Sequence, residues 1–375
     1  MTRPIRQIVR SLGRLSKKWL DKNFEFRQKA LRALNKKCGY SPAMSAEILD
    51  DLFSELSAKK LWALLESELG NPEVLDKFCD DKKHARKIHA FGPGNILHIF
   101  SANAPNPSVV SVVLGLLTKS VNHAKISSED SGLLDLYLKS LRRHDPILAR
   151  ACRLIRGRES KSLKKALLTA GAVIVYGGPE SVRYFHQKTS PAQIFIPYGH
   201  RMSFSIYLKA AFSKKEGDAL SEKTARDLWL MNQEGCLSPL IIFIQMGEAG
   251  ALDFCRKLSR RLKVLEKGAS LWRIFYEDNP SRMPAAWGGR KVYVKSFRDA
   301  RSVYATLRKF SPYLQAATLE GSAAQVERAA DALAVLGFNR ICRAGRIQKP
   351  PLSWHHDGRM NLAPLLRWTD LEGPS

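Results

Sequence analysis

Asn232-Gln233-Glu234-Gly235-Cys236-Leu237-Ser238-Pro239, followed by the apolar run Leu240-Ile241-Ile242-Phe243-Ile244, is the stretch around which the chain is organised. The residues before Gly235, from about 222, read as a helix that delivers Cys236; Gly235 to Pro239 read as a small-residue turn; the apolar run reads as a buried strand. Gly235 lets the backbone approach a ligand closely. Pro239 ends the turn where a strand begins, a position that tolerates the missing N–H. A thiol in this setting is either a nucleophile facing a cleft, held rigidly by the strand behind it, or a structural thiol in the core, since cysteine is among the most buried residue types.

Upstream, Ile96-Leu97-His98-Ile99-Phe100 reads as a buried strand, Ser101 to Pro107 as a polar loop, Val109 to Ser120 as a helix, and His123 to Ser127 as a second strand. Strand, helix and strand with short connections predict a parallel βαβ unit. Ligands bind at the carboxyl ends of such strands, where Asn103 and Lys125 fall. Residues 132 to 168 read as two helices around His144-Asp145-Pro146. Ala172 to Tyr176 is the next strand, and Gly177-Gly178 opens from it onto a helix N-terminus able to hold a phosphate, although without GxGxxG spacing. Ile194-Phe195-Ile196 follows as a strand, with Tyr198 to Ser203 as its loop. Beyond the cysteine come a basic helix from Gly250 to Lys263, a strand at Lys291 to Val294, a helix over 322–336 and a late strand at Phe338 to Cys342.

The N-terminal residues 4 to 20 form an amphipathic basic pattern. Ile5, Ile8, Val9, Leu12, Leu15 and Trp19 share a face, and Arg6, Arg10, Arg14, Lys17 and Lys18 fall largely elsewhere. Such a helix either lies on an anionic membrane or packs on the body with its charges in water. Residues 22 to 86 read as further helices broken at Gly39, Ser41-Pro42 and Gly70-Asn71-Pro72.

With 375 residues and 45% hydrophobic content, the chain has material for two domains. Its six cysteines include no CxxC pair, which argues against a zinc ribbon or disulfide framework and for a reducing cytoplasm; no metal site is expected. The N-terminus lacks the apolar core of a signal peptide, and no run reaches the ~20 apolar residues of a spanning helix. The net charge of +26 favours anionic partners. No zinc finger, basic zipper or aromatic-basic RNA motif accompanies it, so no specific nucleic acid is expected.

Taken with Ser101-Ala102-Asn103-Ala104-Pro105, Val121-Asn122-His123-Ala124-Lys125-Ile126-Ser127-Ser128, Tyr176-Gly177-Gly178-Pro179-Glu180, Tyr198-Gly199-His200-Arg201-Met202-Ser203-Phe204, Gly345-Arg346-Ile347-Gln348-Lys349-Pro350-Pro351 and Trp354-His355-His356-Asp357-Gly358, the cysteine stretch resembles the long-chain acyl-CoA reductases of the LuxC type, a branch of the aldehyde dehydrogenase superfamily. The resemblance implies an α/β, aldehyde dehydrogenase-like fold with two Rossmann-like parallel-sheet domains. A helical region would occupy residues 1–89, a cofactor domain 90–205 and a catalytic domain 206–340, with the tail 341–375 returning to the cleft. It implies reduction of a fatty acyl thioester, such as acyl-CoA, to the aldehyde. Cys236 would be the nucleophile and Asn103 an oxyanion donor, with His356 and His200 as candidate proton donors. Lys125, Ser127, Ser128, Gly177 and Gly178 would contact the cofactor.

Many NAD-dependent relatives carry an acidic residue three positions beyond the lysine. Here Ser128 stands there, removing repulsion toward a 2′-phosphate, so NADPH is expected; the adjacent Glu129 weighs the other way. Hydrolytic relatives carry a glutamate in the segment matching Pro197-Tyr198-Gly199-His200. This chain has no carboxylate there, so an acyl-enzyme would survive to accept a hydride. An acyl-activating or acyl-carrier protein, a homo-oligomer and peripheral contact with an anionic membrane are the expected partners. Two other readings stay open: an acylating dehydrogenase for a short-chain or carrier-bound donor, and a basic, non-catalytic binding protein on the same fold.

Overall fold

A computed structural model describes residues 3–81, 83–101, 105–157, 160–212, 217–266, 271–284 and 288–373. The backbone divides into two units, residues 1–199 with 351–375, and residues 200–350.

The first unit opens with four helices, α1 (Ile5–Leu20), α2 (Glu25–Cys38), α3 (Pro42–Glu55) and α4 (Ala58–Leu69). The apolar stripe of α1 is buried along its whole length, and Arg6, Arg10, Arg14, Lys17 and Lys18 are exposed. Trp19 stacks on Phe53 with centroids 4.5 Å apart and donates from Nε1 to Ser140 Oγ at 2.9 Å. Side chains of this size contribute ~1.5–3 kcal/mol each on burial. The face that a membrane would need is therefore used up by the unit's own core. Ser41 ends the preceding turn by accepting the Met44 N–H at 3.2 Å, with Pro42 at the first helical position.

The helical expectation fails after residue 78, where β1 (Cys79–Asp81) and β2 (Arg86–Phe91) form an antiparallel pair. A five-stranded sheet follows. Its elements are β3 (Asn95–Ile99), α5 (Asn106–Leu117), β4 (Val121–Lys125), α6 (Leu133–His144), α7 (Pro146–Ala149), β5 (Cys152–Ile155), α8 (Lys161–Thr169), β6 (Ala172–Tyr176), α9 (Pro179–Lys188) and β7 (Ile194–Tyr198). All pairings are parallel, in the order β5-β4-β3-β6-β7. Strand alternation places Leu97 and Ile99 against Leu163, Ala166 and Phe185 on one face, and Ile96 with Ile174 and Ile196 on the other. β5 lies inside the span that reads as helical from sequence: four residues with Arg153 among them carry too little period to show a strand.

The second unit contains β8 (Met202–Tyr207), α10 (Gly217–Trp229), β9 (Pro239–Ile244), α11 (Glu248–Glu266), β10 (Arg273–Glu277), β11 (Lys291–Ser296), α12 (Ala300–Arg308), β12 (Leu314–Glu320), α13 (Ala323–Leu336) and β13 (Arg340–Cys342). They build a six-stranded parallel sheet in the order β10-β11-β9-β8-β12-β13. β8 begins where a loop is expected from sequence, and all six of its residues are buried. Phe204 and Ile206 pack among Val303, Leu307 and Leu333. On the other face Ser205 and Thr318 hydroxyls share a hydrogen bond of 2.8 Å, which lets a serine sit in a central strand. Because β8 belongs to this sheet, the division falls after Gly199 rather than at 205, and residues 341–350 stay with the second unit.

The chain then returns to the first unit, where β14 (Arg367–Glu372) pairs antiparallel with β2. Glu68 anchors this return by accepting the N–H groups of Asn361, Leu362 and Ala363 at 2.7, 2.7 and 3.0 Å. No helix of the described residues is long and apolar enough to cross a membrane.

Candidate active site

In the first unit the expected ligand residues gather at the carboxyl edge of the parallel sheet, where strand order switches between β3 and its neighbours. Lys125 is the last residue of β4, half-buried, and its carbonyl accepts the Phe100 N–H at 2.9 Å. Ser127 is half-buried and Ser128 exposed in the turn that follows, with Glu129 exposed beside them. Gly177 leaves β6, held by its N–H to Tyr198 O at 3.1 Å, and Gly178 is the residue before α9. No side chain caps that helix, and a Cβ on Gly178 would meet nothing within 4 Å. An uncapped helix N-terminus beside open space, with a lysine and serines at the end of β4 across β3, suits a nucleotide cofactor. Asn103 lies outside the described residues.

The polar support beneath this edge is a buried histidine. His98 Nδ1 is 2.8 Å from Ser111 Oγ on α5, and Nε2 is 2.9 Å from Asn122 Oδ1 on β4. Burial pushes His98 down to about 4, so the ring is neutral. Gly115 lets α5 come this close, because a Cβ there would collide with the Asn122 side chain.

A column of rings crosses the same edge. Phe100 and Tyr176 centroids are 5.5 Å apart, Tyr176 and Tyr198 4.6 Å, Tyr198 and His356 4.2 Å, and His356 and Trp354 4.7 Å. His356 enters from a tight turn, with Asp357 and Gly358 at φ 55° and 74° and an antiparallel bridge from His356 to Arg359. Stacking fixes the plane of the His356 ring and leaves its nitrogens at the rim. The strand end that lacks a glutamate is thus filled by aromatics. A carboxylate does approach it from elsewhere: Asp357, its side chain 1% exposed, lies 4.0 Å from His356 Nε2. Burial, then the Asp357 charge, pushes the Tyr198 phenol up to about 12.

Cys236, in the second unit, is exposed; of the other cysteines of the chain, Cys79 and Cys152 are buried and Cys38, Cys255 and Cys342 half-buried. Burial pushes the Cys152 thiol up to about 12 and those of Cys255 and Cys342 up to about 11, which keeps them unreactive. The helix that delivers Cys236 stops at Trp229, earlier than its sequence pattern suggests. Met231, Asn232 and Gln233 then follow one another in the left-handed region, at φ 58°, 53° and 64°. For non-glycine residues this costs roughly 1–2 kcal/mol each.

Hydrogen bonds hold the strained turn. Gln233 Nε2 donates to Pro239 O and Lys291 O, both at 3.0 Å. Ser203 Oγ donates to Cys236 O at 2.7 Å, and Ser238 N to Gly235 O at 3.0 Å. Gln348 Nε2 donates to Ser238 Oγ at 2.6 Å and to Asp227 O at 3.0 Å. The Asp227 carboxylate accepts the Gly345 N–H at 2.7 Å and the Ile347 N–H. Burial pushes Asp227 up to about 7, against those N–H groups and the nearby Arg340 and Lys349. Gly235 is not required by its backbone: a Cβ would meet its nearest neighbours at an ordinary 3.6–3.7 Å.

His200 is exposed and belongs to the second unit, ahead of β8. Sequence reasoning missed Tyr176, Trp354, Asp227, Gln233 and Gln348 as site residues. Gln348 and Asp227 are bonded across 121 positions, beyond any local pattern.

The fold is that of the aldehyde dehydrogenases. It matches an oxidoreductase from Marinobacter aquaeolei with TM-score 0.74 at 14% identity, covering 100% of this chain and 87% of that one. It also matches an acetylating aldehyde dehydrogenase from Geobacillus thermoglucosidasius with TM-score 0.73 at 9% identity, covering 99% and 91%. The acyl-CoA reductase (LuxC) family model matches residues 1–269 and 254–368, and the chain belongs to that family of oxidoreductases. Among curated relatives, it is 23% identical to the long-chain acyl-protein thioester reductase of Photorhabdus laumondii subsp. laumondii, over 99% of this chain and 83% of that protein. It is 22% identical to the enzyme of the same name from Photobacterium phosphoreum, over 99% and 81%.

Proposed function

We propose that this protein reduces a long-chain fatty acyl thioester to the fatty aldehyde, using NADPH and a covalent acyl group on Cys236. The observation that carries the reading is an exposed cysteine on a strained, clamped turn at the head of β9, in a chain of the acyl-CoA reductase family.

Cys236 attacks the thioester carbonyl as thiolate, forming a new thioester and releasing the donor thiol. The Cys236 backbone N–H and the Asn103 amide donate to the oxyanion; one such donor is typically worth ~3 kcal/mol of barrier. Lys125, Ser127 and Ser128 hold the ribose side of the cofactor, and Gly177 and Gly178 its pyrophosphate. When bound, a reduced nicotinamide supplies the hydride that takes the acyl carbon to the aldehyde level. Cys236 then leaves the hemithioacetal as thiolate, and His356 or His200 moves the proton. The 197–200 segment carries no carboxylate to activate water, which favours an acyl-enzyme that survives to accept the hydride.

The names of the relatives favour a protein-borne acyl donor over CoA. The exposed basic face of α1 and the net charge of +26 suit an acidic carrier. The test is NADPH oxidation and aldehyde formation with tetradecanoyl-CoA and with a tetradecanoyl carrier protein, comparing wild type with Cys236→Ala. Cys236-dependent aldehyde from either donor is the expected result. The reading is overturned if neither donor yields aldehyde and no acyl group is trapped on Cys236.

A further inference from the structure

The peptide that carries the Cys236 N–H joins Gly235 to Cys236. Its plane is set by Gly235 O, which accepts from Ser238 N at 3.0 Å. Ser238 is 1% exposed, and its hydroxyl is held at 2.6 Å by Gln348 Nε2. The next peptide plane is set by Ser203 Oγ on Cys236 O. Gln348 therefore lies two bonded contacts behind the thiol, itself 5% exposed and out of reach of a substrate. Its other donor bond goes to Asp227 O, and the Asp227 carboxylate grips Gly345 and Ile347 on the segment that delivers Gln348. Gly345 at φ 82° makes the turn that presents those N–H groups. Gln348 Oε1 has no hydrogen-bond partner among the described residues. The two-donor bridge, rather than full use of the amide, is what this side chain supplies.

This arrangement matters because the preceding turn stores strain. Three successive left-handed residues relax toward ordinary backbone unless the far end of the turn is tied down, and the side chains of Gln233, Ser203 and Gln348 supply ties. We infer that Gln348, held by Asp227, is a positioning residue that sets the attack geometry of the Cys236 thiol and its oxyanion-binding N–H without touching substrate. The inference rests on the reading of Cys236 as the nucleophile.

The test compares wild type, Gln348→Glu and Gln348→Ala, with Cys236→Ser as blank. Glutamate fills the same space and cannot make the two-donor bridge, keeping at most one O–H when protonated. Single-turnover acylation of Cys236 by tetradecanoyl-CoA is followed by mass spectrometry, alongside KM, thermal midpoint and the rate of Cys236 alkylation by iodoacetamide. Gln348→Glu is expected to slow acylation roughly 10- to 100-fold, with KM for the acyl donor and the thermal midpoint close to wild type. Acylation at the wild-type rate in both variants overturns the inference, as does a loss that merely tracks unfolding. If wild type is not acylated, the nucleophile reading has failed instead; the alkylation ratio then decides this one, equal rates in wild type and Gln348→Glu sinking it.

Discussion

Both units contain a parallel sheet, yet they put their candidate chemistry at opposite ends of its strands. The first presents Lys125, Ser128, Gly177 and Gly178 beyond the carboxyl ends of β4 and β6, on turns with ordinary backbone. The second presents Cys236 before the amino end of β9, on a turn with three left-handed residues. A carboxyl-end loop leads into a helix whose N–H groups already point outward, so the fold supplies the site. A turn at the amino end has no such donors, and the second unit holds it with side-chain amides from distant segments.

The polar groups behind the two sites also titrate in opposite senses. Burial disfavours the charged form of both, so the first unit keeps a base neutral at His98 and the second raises an acid at Asp227. For Asp227 the folded value of about 7 lies above the ordinary 3.8, so the folded state binds the extra proton between them. The Asp227 contribution to the second unit's stability is then full below pH 3.8 and falls by on the order of 4 kcal/mol as pH rises to about 7. For His98 the folded value of about 4 lies below 6.5, so the unfolded chain binds the proton. The His98 contribution to the first unit's stability is full above pH 6.5 and falls by on the order of 3 kcal/mol as pH drops to about 4.

Four substitutions break or sharpen this contrast. The largest effect is expected from Asp227→Asn. Hydrogen-exchange protection of β9 amides, corrected for intrinsic rates, should lose its decline between about pH 4 and about pH 7. A slope as steep as wild type would assign it to another group. Next, His98→Leu strands Ser111 Oγ and Asn122 Oδ1 in the core, and β3 protection at pH 7.5 should drop by roughly 2–4 kcal/mol. The variant's acid loss between pH 6.5 and 4 should fall below that of wild type, the remainder belonging to His89 and His123, which burial also pushes down; an undiminished loss would refute the assignment.

Third, if Ser128 faces the ribose 2′ position as proposed, Ser128→Asp should move the NADPH-to-NADH ratio of kcat/KM about tenfold toward NADH. An unchanged ratio would remove Ser128 from the cofactor site. The smallest effect belongs to Gly235→Ala. Its Cβ finds ordinary contacts, so stability should change by less than about 0.5 kcal/mol. A larger loss would mean that the cysteine turn is governed by its glycine and not by its amide ties.

Much of the fold was legible in the chain. Runs such as Ile96 to Phe100, Ala172 to Tyr176 and Leu240 to Ile244 are apolar because strands of a parallel sheet are covered on both faces. The α1 stripe announced a helix with one apolar face, and Gly177-Gly178-Pro179 announced a helix start. β5, β8 and the β1–β2 pair were not legible. β5 is too short, β8 carries serines whose partners lie at Thr318 and Cys236, and β2 pairs with β14 from the far end of the chain.

The same boundary runs through the candidate site. Residue type and local order determined which side chains have the chemistry: a cysteine before a buried strand, a lysine and serines at a strand end, a histidine near an aspartate. Those properties are local, set by backbone periodicity and side-chain reactivity within a few residues. Tertiary structure alone decided that Cys236 is exposed while the buried thiols are silenced, and that His356 stacks on Tyr198. It alone bent residues 231–233 into left-handed backbone and brought Gln348 under Ser238. Strain persists only when contacts from elsewhere outweigh it, and burial shifts a titrating group only once the surrounding chain has closed over it.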